Sequence, residues 1–238
     1  MKNILLMFAL VLGSLSAQTD DSQTEKREKK KGYRVTAFNA WGGPSMYYKD
    51  KKEYYPLKAH RLSYTKPLPY KKGEPIVFYM KSLNAEQETV YKPYVSTVVP
   101  EEIMDPLLVL YWNQVSKKGY AQSLEFSPER FPYGSYQFVN IGGAPIFGYV
   151  EDKKRVFKCM PYKANIYNQP IKDGKVIPIE IVAKSAPKNI VVYSSVVKYR
   201  SKKRTIFFLY PRVNQVGRTV YQVDLMEDFS RGDDGAGS

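Results

Sequence analysis

The sequence predicts an all-β protein made of two tandem β-sandwich (Ig-like) domains of about 100 residues each, related by an internal repeat. Three observations predict it. The chain matches itself at a nearly constant offset, its apolar segments are short runs of β-formers closed by Gly and Pro, and helical periodicity is almost absent. Its 238 residues, 43% hydrophobic and 14% aromatic, exclude a chain that stays solvated throughout and leave room for two cores.

The repeat is clearest where each copy opens. Gly32-Tyr33-Arg34-Val35-Thr36-Ala37-Phe38-Asn39 and the Gly42-Gly43-Pro44 turn match Gly134-Ser135-Tyr136-Gln137-Phe138-Val139-Asn140 and Gly142-Gly143-Ala144-Pro145, with Asn39 on Asn140. Register then persists through Asp50 on Asp152, Gly73 on Gly174 and Leu110-Tyr111 on Leu209-Tyr210, so two copies of one fold are expected.

In chain order, residues 1–17 read as a signal peptide: Lys2, the apolar run Ile4–Leu12, then small residues to Ala17. The run is too short to span a bilayer as a helix, so no transmembrane segment is expected after cleavage, and the mature protein is expected to be periplasmic or secreted. Residues 18–31 read as a charged, disordered leader. Copy 1 is placed at 32–127, with strands at Arg34–Phe38, Pro75–Met80, Thr89–Ser96 and Leu107–Trp112; Glu101–Asp105 suggests one helical turn. A linker is expected at 128–133. Copy 2 is placed at 134–230, with strands at Tyr136–Val139, Val176–Val182, Ile190–Val197 and Thr205–Tyr210. The last two are expected to form a hairpin through the polar turn Ser201–Arg204. Residues 231–238 read as a flexible tail.

Several chemistries leave too little material. One His and one Cys exclude a Cys/His zinc site and a disulfide within the monomer, and no phosphate-binding glycine loop occurs. His60 in its basic segment reads as a surface residue, Cys159 as a small buried hydrophobe. No two carboxylates are tied together as a glycosidase pair; Glu125 and Asp50 read as outward-facing scaffold positions, and Asn39 and Asn140 as caps of their own turns. No catalytic residue, cofactor or metal is assigned.

What remains is basic charge among aromatics. Lys plus Arg is 37 against 23 Asp plus Glu, a formal +14 that becomes +13 once Lys2 is removed. The 21 Tyr cluster beside Lys, as in Tyr47-Tyr48-Lys49, Tyr54-Tyr55 and Tyr70-Lys71-Lys72. A Tyr on a strand offers a flat face and a polar tip, and neighbouring Lys or Arg attracts phosphate, sulfate or carboxylate. The same residues also suit strands and protected sheet edges. The candidate ligand-binding residues are Trp41, at a turn, and Lys198, Arg200, Lys202, Lys203 and Arg204, five cations in seven residues. The expectation is a non-catalytic exported protein that binds an anionic polymer, such as an acidic polysaccharide, or an envelope protein. Nucleic acid is not expected after export. The alternatives are a structural subunit of a surface assembly whose sheet edges pair, and a carboxylate-dependent hydrolase.

Overall fold

The computed structural model describes residues 32–37, 44–113, 118–153, 156–184 and 189–230. The expected signal peptide, leader and tail lie outside these residues, as do Trp41 and Asn39. No helix occurs among the described residues, and Glu101–Asp105 is a hydrogen-bonded turn instead.

The first half contributes β1 (Gly32–Ala37), β2 (Met46–Asp50), β3 (Glu53–Pro56), β4 (Leu68–Pro69), β5 (Ile76–Leu83), β6 (Thr89–Thr97), β7 (Pro106–Asn113) and β8 (Lys118–Glu125). The second contributes β9 (Tyr136–Asn140), β10 (Ile146–Val150), β11 (Val156–Cys159), β12 (Ala164–Tyr167), β13 (Val176–Ala183), β14 (Ile190–Lys198), β15 (Lys203–Val213) and β16 (Thr219–Phe229). They form four four-stranded sheets in two pairs. In the first half the orders are β4-β1-β7-β8 and β3-β2-β5-β6; in the second they are β12-β9-β15-β16 and β11-β10-β13-β14. Raising each strand number of the first pair by eight gives the second. β1 runs parallel to β7, and β9 parallel to β15; every other pairing between these strands is antiparallel.

Side chains alternate across a strand, so a strand buried on both faces must be apolar throughout. β7 and β15 are such strands. Leu108 and Leu110 point into the first core with Val35 and Phe78, while Phe207 and Leu209 point into another with Phe138 and Ile181. Their alternate residues, Leu107 and Val109 from β7 and Ile206, Phe208 and Tyr210 from β15, meet in a third core that joins the two halves. The two inner sheets therefore pack on each other, and the two outer sheets carry the solvent-facing surfaces.

The 128–133 segment is anchored in this middle core by Phe131, which is 0% exposed, while Pro128, Glu129 and Arg130 stay exposed. The expected hairpin at Ser201–Arg204 is absent. β14 pairs with β13 in an outer sheet and β15 with β9 and β16 in an inner one, so the turn crosses between sheets. Tyr199 and Arg204 both turn inward on either side of it.

Candidate anion-binding cleft and tyrosine face

The outer face of the sheet β3-β2-β5-β6 is built by alternation. Tyr47 lies opposite Tyr79, Lys49 opposite Tyr54 and Lys81 opposite Tyr91, so these six residues share one face. Tyr48 and Tyr55 pair on the other face, stacked at 5.6 Å. On the outer face Tyr54 and Tyr91 reach over the two central strands and stack at 4.2 Å with an interplanar angle of 6°. Tyr47 meets Tyr91 edge-on at 5.0 Å, and Tyr79 meets Tyr54 edge-on at 4.9 Å. Rings packed this way hold one another rigid. Much of their flat surface is spent within the cluster, so the face presents a fixed platform of ring edges and hydroxyls rather than four separate rings. Lys49 Nζ sits 5.4 Å from the Tyr54 ring centre.

At the end of this platform the β2–β3 turn and the β4–β5 loop enclose a cleft of about 250 Å³, lined by Tyr33, Lys49, Lys51, Tyr70, Lys71 and Tyr79 among others. Lys51 stands in the turn with φ of 54°, a left-handed conformation that a tight two-residue hairpin turn requires. Gly73, φ 83°, closes the opposing loop. Lys71 pairs with Glu74 at 2.6 Å, but the pair is largely exposed and weakly held. Three ammonium groups against one carboxylate leave the cleft positive. Burial pushes the Tyr33 and Tyr70 phenols above their ordinary range, so both stay neutral at physiological pH. The cleft can attract an anionic group with its lysines and offer phenol hydroxyls as neutral hydrogen-bond partners.

The cations expected to act together do not. Lys198, Arg200 and Lys202 are exposed at the crossover, beside Asp173, whose carboxylate is held below its usual range chiefly by the Ser201 backbone N–H. Lys203 is turned to Glu227 at 2.5 Å. Arg204 is 4% exposed: its Nε donates to Asp228 at 2.7 Å, its Nη1 donates to the carbonyls of Phe126 and Phe131, and its guanidinium lies 3.9 Å from the Phe126 ring centre. Its ligands are inside the protein. The last cation of a basic run reads as surface charge in a sequence, and only the fold reveals the acceptors around it.

Compared with protein-family models and with curated proteins, the chain matches none. Its site has to be judged on its own chemistry. Among the described residues no group of three His, Cys, Asp or Glu could hold a metal ion. His60 is exposed. Glu125 does not face outward as expected. It folds back to accept the backbone N–H groups of Met104, Asp105, Phe126 and Ser127 at 2.9–3.3 Å. Asn140 caps its turn as expected, accepting the Gly142 N–H at 2.9 Å and donating to the Ala144 carbonyl at 2.8 Å.

A second concavity, about 370 Å³, opens where the halves join and is lined by Tyr111, Asn113, Tyr120, Gln122 and Tyr162. It carries no formal charge. The lysine cleft could be found in the sequence only as the pair Lys49–Lys51 and the pair Tyr70-Lys71, because eighteen residues separate them and a loop brings them together.

Proposed function

We propose that this is an exported, non-catalytic binding protein, built from two tandem copies of one Ig-like sandwich, that holds an acidic polysaccharide across the tyrosine platform of its first half. The observation that carries the reading is the convergence of Lys49, Lys51 and Lys71 on a cleft that opens beside a rigid aromatic face. A polymer with an anionic group at intervals places one such group in the cleft and lays its rings along the platform. The duplication is supported by the strand orders and by a matching irregularity: the β5–β6 ladder slips one residue at Tyr94, and the β13–β14 ladder slips one at Val192. Export is supported by the apolar run Ile4–Leu12 after Lys2.

The test is binding of the protein to acidic and neutral polysaccharides at low and near-physiological salt. Selective binding that survives the higher salt, and that Lys49→Glu with Lys51→Glu weakens at least about tenfold, is the expected outcome; simple surface charge would fade with screening. Equal retention of the double variant would sink the reading. Loss of binding on Lys198→Glu with Arg200→Glu instead would move the site to the crossover.

A further inference from the structure

Every open sheet has two edge strands whose outward backbone groups invite pairing, and proteins guard them with short length, charge or proline. Among the described residues most edges here are guarded. β3, β4, β11 and β12 are two to four residues long. β6 carries Lys92 and Pro93, β8 has Lys118 and Glu125 at its ends, and β16 carries Asp224, Glu227 and Asp228. β14 differs. It ends on Lys198, but its eight residues from Ile190 to Val197 have no charge, no proline and no glycine, and its β-branched side chains Val191 and Val196 are 57% and 67% exposed.

The direction of its unused backbone groups follows from the ladder. The Tyr199 N–H donates to the Lys175 carbonyl at 2.8 Å, and the Tyr199 carbonyl accepts from Gly174 at 3.0 Å, so Tyr199 faces β13. Alternation turns the N–H and C=O groups of Lys198, Val196 and Ser194 the other way, where no described strand pairs with them.

We propose that β14 is a self-pairing edge: it joins β14 of a second copy, antiparallel about a two-fold axis at Val196, to make one eight-stranded sheet from two outer sheets. With the axis at Val196, the two Val196 residues lie opposite each other, and Ser194 lies opposite Lys198 of the second copy. Three reciprocal pairs then exchange about six backbone hydrogen bonds. One charge row favours a second copy as the occupant, against the repulsion of the exposed Lys198, Arg200 and Lys202 that flank the joint. Ser194 has Glu180 as its neighbour on β13, on the same face. The row across the joint is therefore Lys198 of the second copy, the small Ser194, then Glu180, and symmetry makes that row twice. Elsewhere two chains of formal charge +14 repel. Ile190–Val197 is the uncharged part of this edge, and the Lys198, Arg200 and Lys202 beside it make like-charge repulsion the main cost of joining.

Sedimentation of the purified protein over a concentration series tests this. The expected result is a monomer–dimer equilibrium that tightens as salt rises from about 0.02 to 0.3 M, because screening relieves repulsion between like-charged copies. That is the opposite of the salt trend for an acidic polymer. Val196→Lys, at an exposed position, should weaken dimerisation at least tenfold with an unchanged melting temperature, and Glu180→Lys should weaken it too. Amide exchange at Ser194, Val196 and Lys198 should slow on dimerisation. A monomer at every concentration and salt, or a dimer indifferent to both variants, overturns the proposal. Failure of polysaccharide binding would leave it standing, since Lys49 and Lys51 belong to the other outer sheet.

Discussion

A buried guanidinium is stable only where strong acceptors surround it, and Arg204 meets that condition with one carboxylate and two main-chain carbonyls. Asp228 is shared further, accepting from the Tyr64 hydroxyl at 2.8 Å, so this single residue pulls the segment between β3 and β4 onto β16. Arg204→Met keeps the packing volume but strands Asp228 and two carbonyls. It should cost about 3–5 kcal/mol, read as a lower urea midpoint with unchanged slope. A loss below about 1 kcal/mol would mean that the network contributes little. Cys159 is the opposite kind of residue, buried and unreactive. Its Sγ donates to the Lys163 carbonyl at 3.0 Å, and burial pushes the thiol up to about 11. The thiolate is the nucleophile, so alkylation at pH 8 should be far slower in the folded protein than in urea. Equal rates in both would show that the strand around it opens freely.

At the scale of elements, the carboxylate of Glu125 organises two turns at once. Burial raises its pKa, but the hydrogen bonds from Ser127, Met104 and Asp105 outweigh burial and leave it below the usual value. A folded pKa below the unfolded one means stability that is present above about pH 4.5 and is lost as pH falls through the folded value. Glu125→Gln should therefore lower the urea midpoint at pH 7, and the gap to the parent should narrow near pH 3. A gap that stays constant across that range would count against the ionised carboxylate as the cause. The same scale explains what could be read in advance. The eight strands expected from the sequence all form within a few residues of their expected ends, whereas β8 and β16, long but mixed in polarity, are not among them. The short strands β2, β3, β11 and β12 are silent in the sequence because four or five residues are too few to show a clear alternation. For the site, the tyrosine doublets were visible, but a doublet always splits across the sheet, and only pairing tells which member faces out. Register was also out of reach. Setting Asn39 on Asn140 makes Ala37 equivalent to Phe138, yet Ala37 lies opposite Leu110 and Phe138 opposite Phe207, two residues before Leu209.

For the molecule as a whole, the middle core decides whether the halves are separable. Two linked sandwiches with a hydrated linker would unfold independently, each with its own midpoint. Here Leu107, Val109 and Leu124 from the first half close on Ile206, Phe208 and Met226 from the second, and Phe131 of the connecting segment lies among them. The edge of that core is pinned by Arg61, which donates to both oxygens of Asp224 at 2.9 Å while the Tyr210 hydroxyl donates to the same carboxylate. Cutting the chain at 128–133 would expose both inner faces as apolar sheet surface, which in a monomer is an aggregation liability. The intact protein should therefore melt in one transition, with calorimetric and van't Hoff enthalpies in agreement, and residues 134–230 expressed alone should be insoluble or bind a hydrophobic dye. Replacing Phe208 by Asp in the intact chain should destabilise both halves together, seen as parallel loss of amide protection on β5 and β13. Protection lost on β13 alone would show that each sandwich stands by itself, and the shared core would then be a contact rather than the structural centre of the molecule.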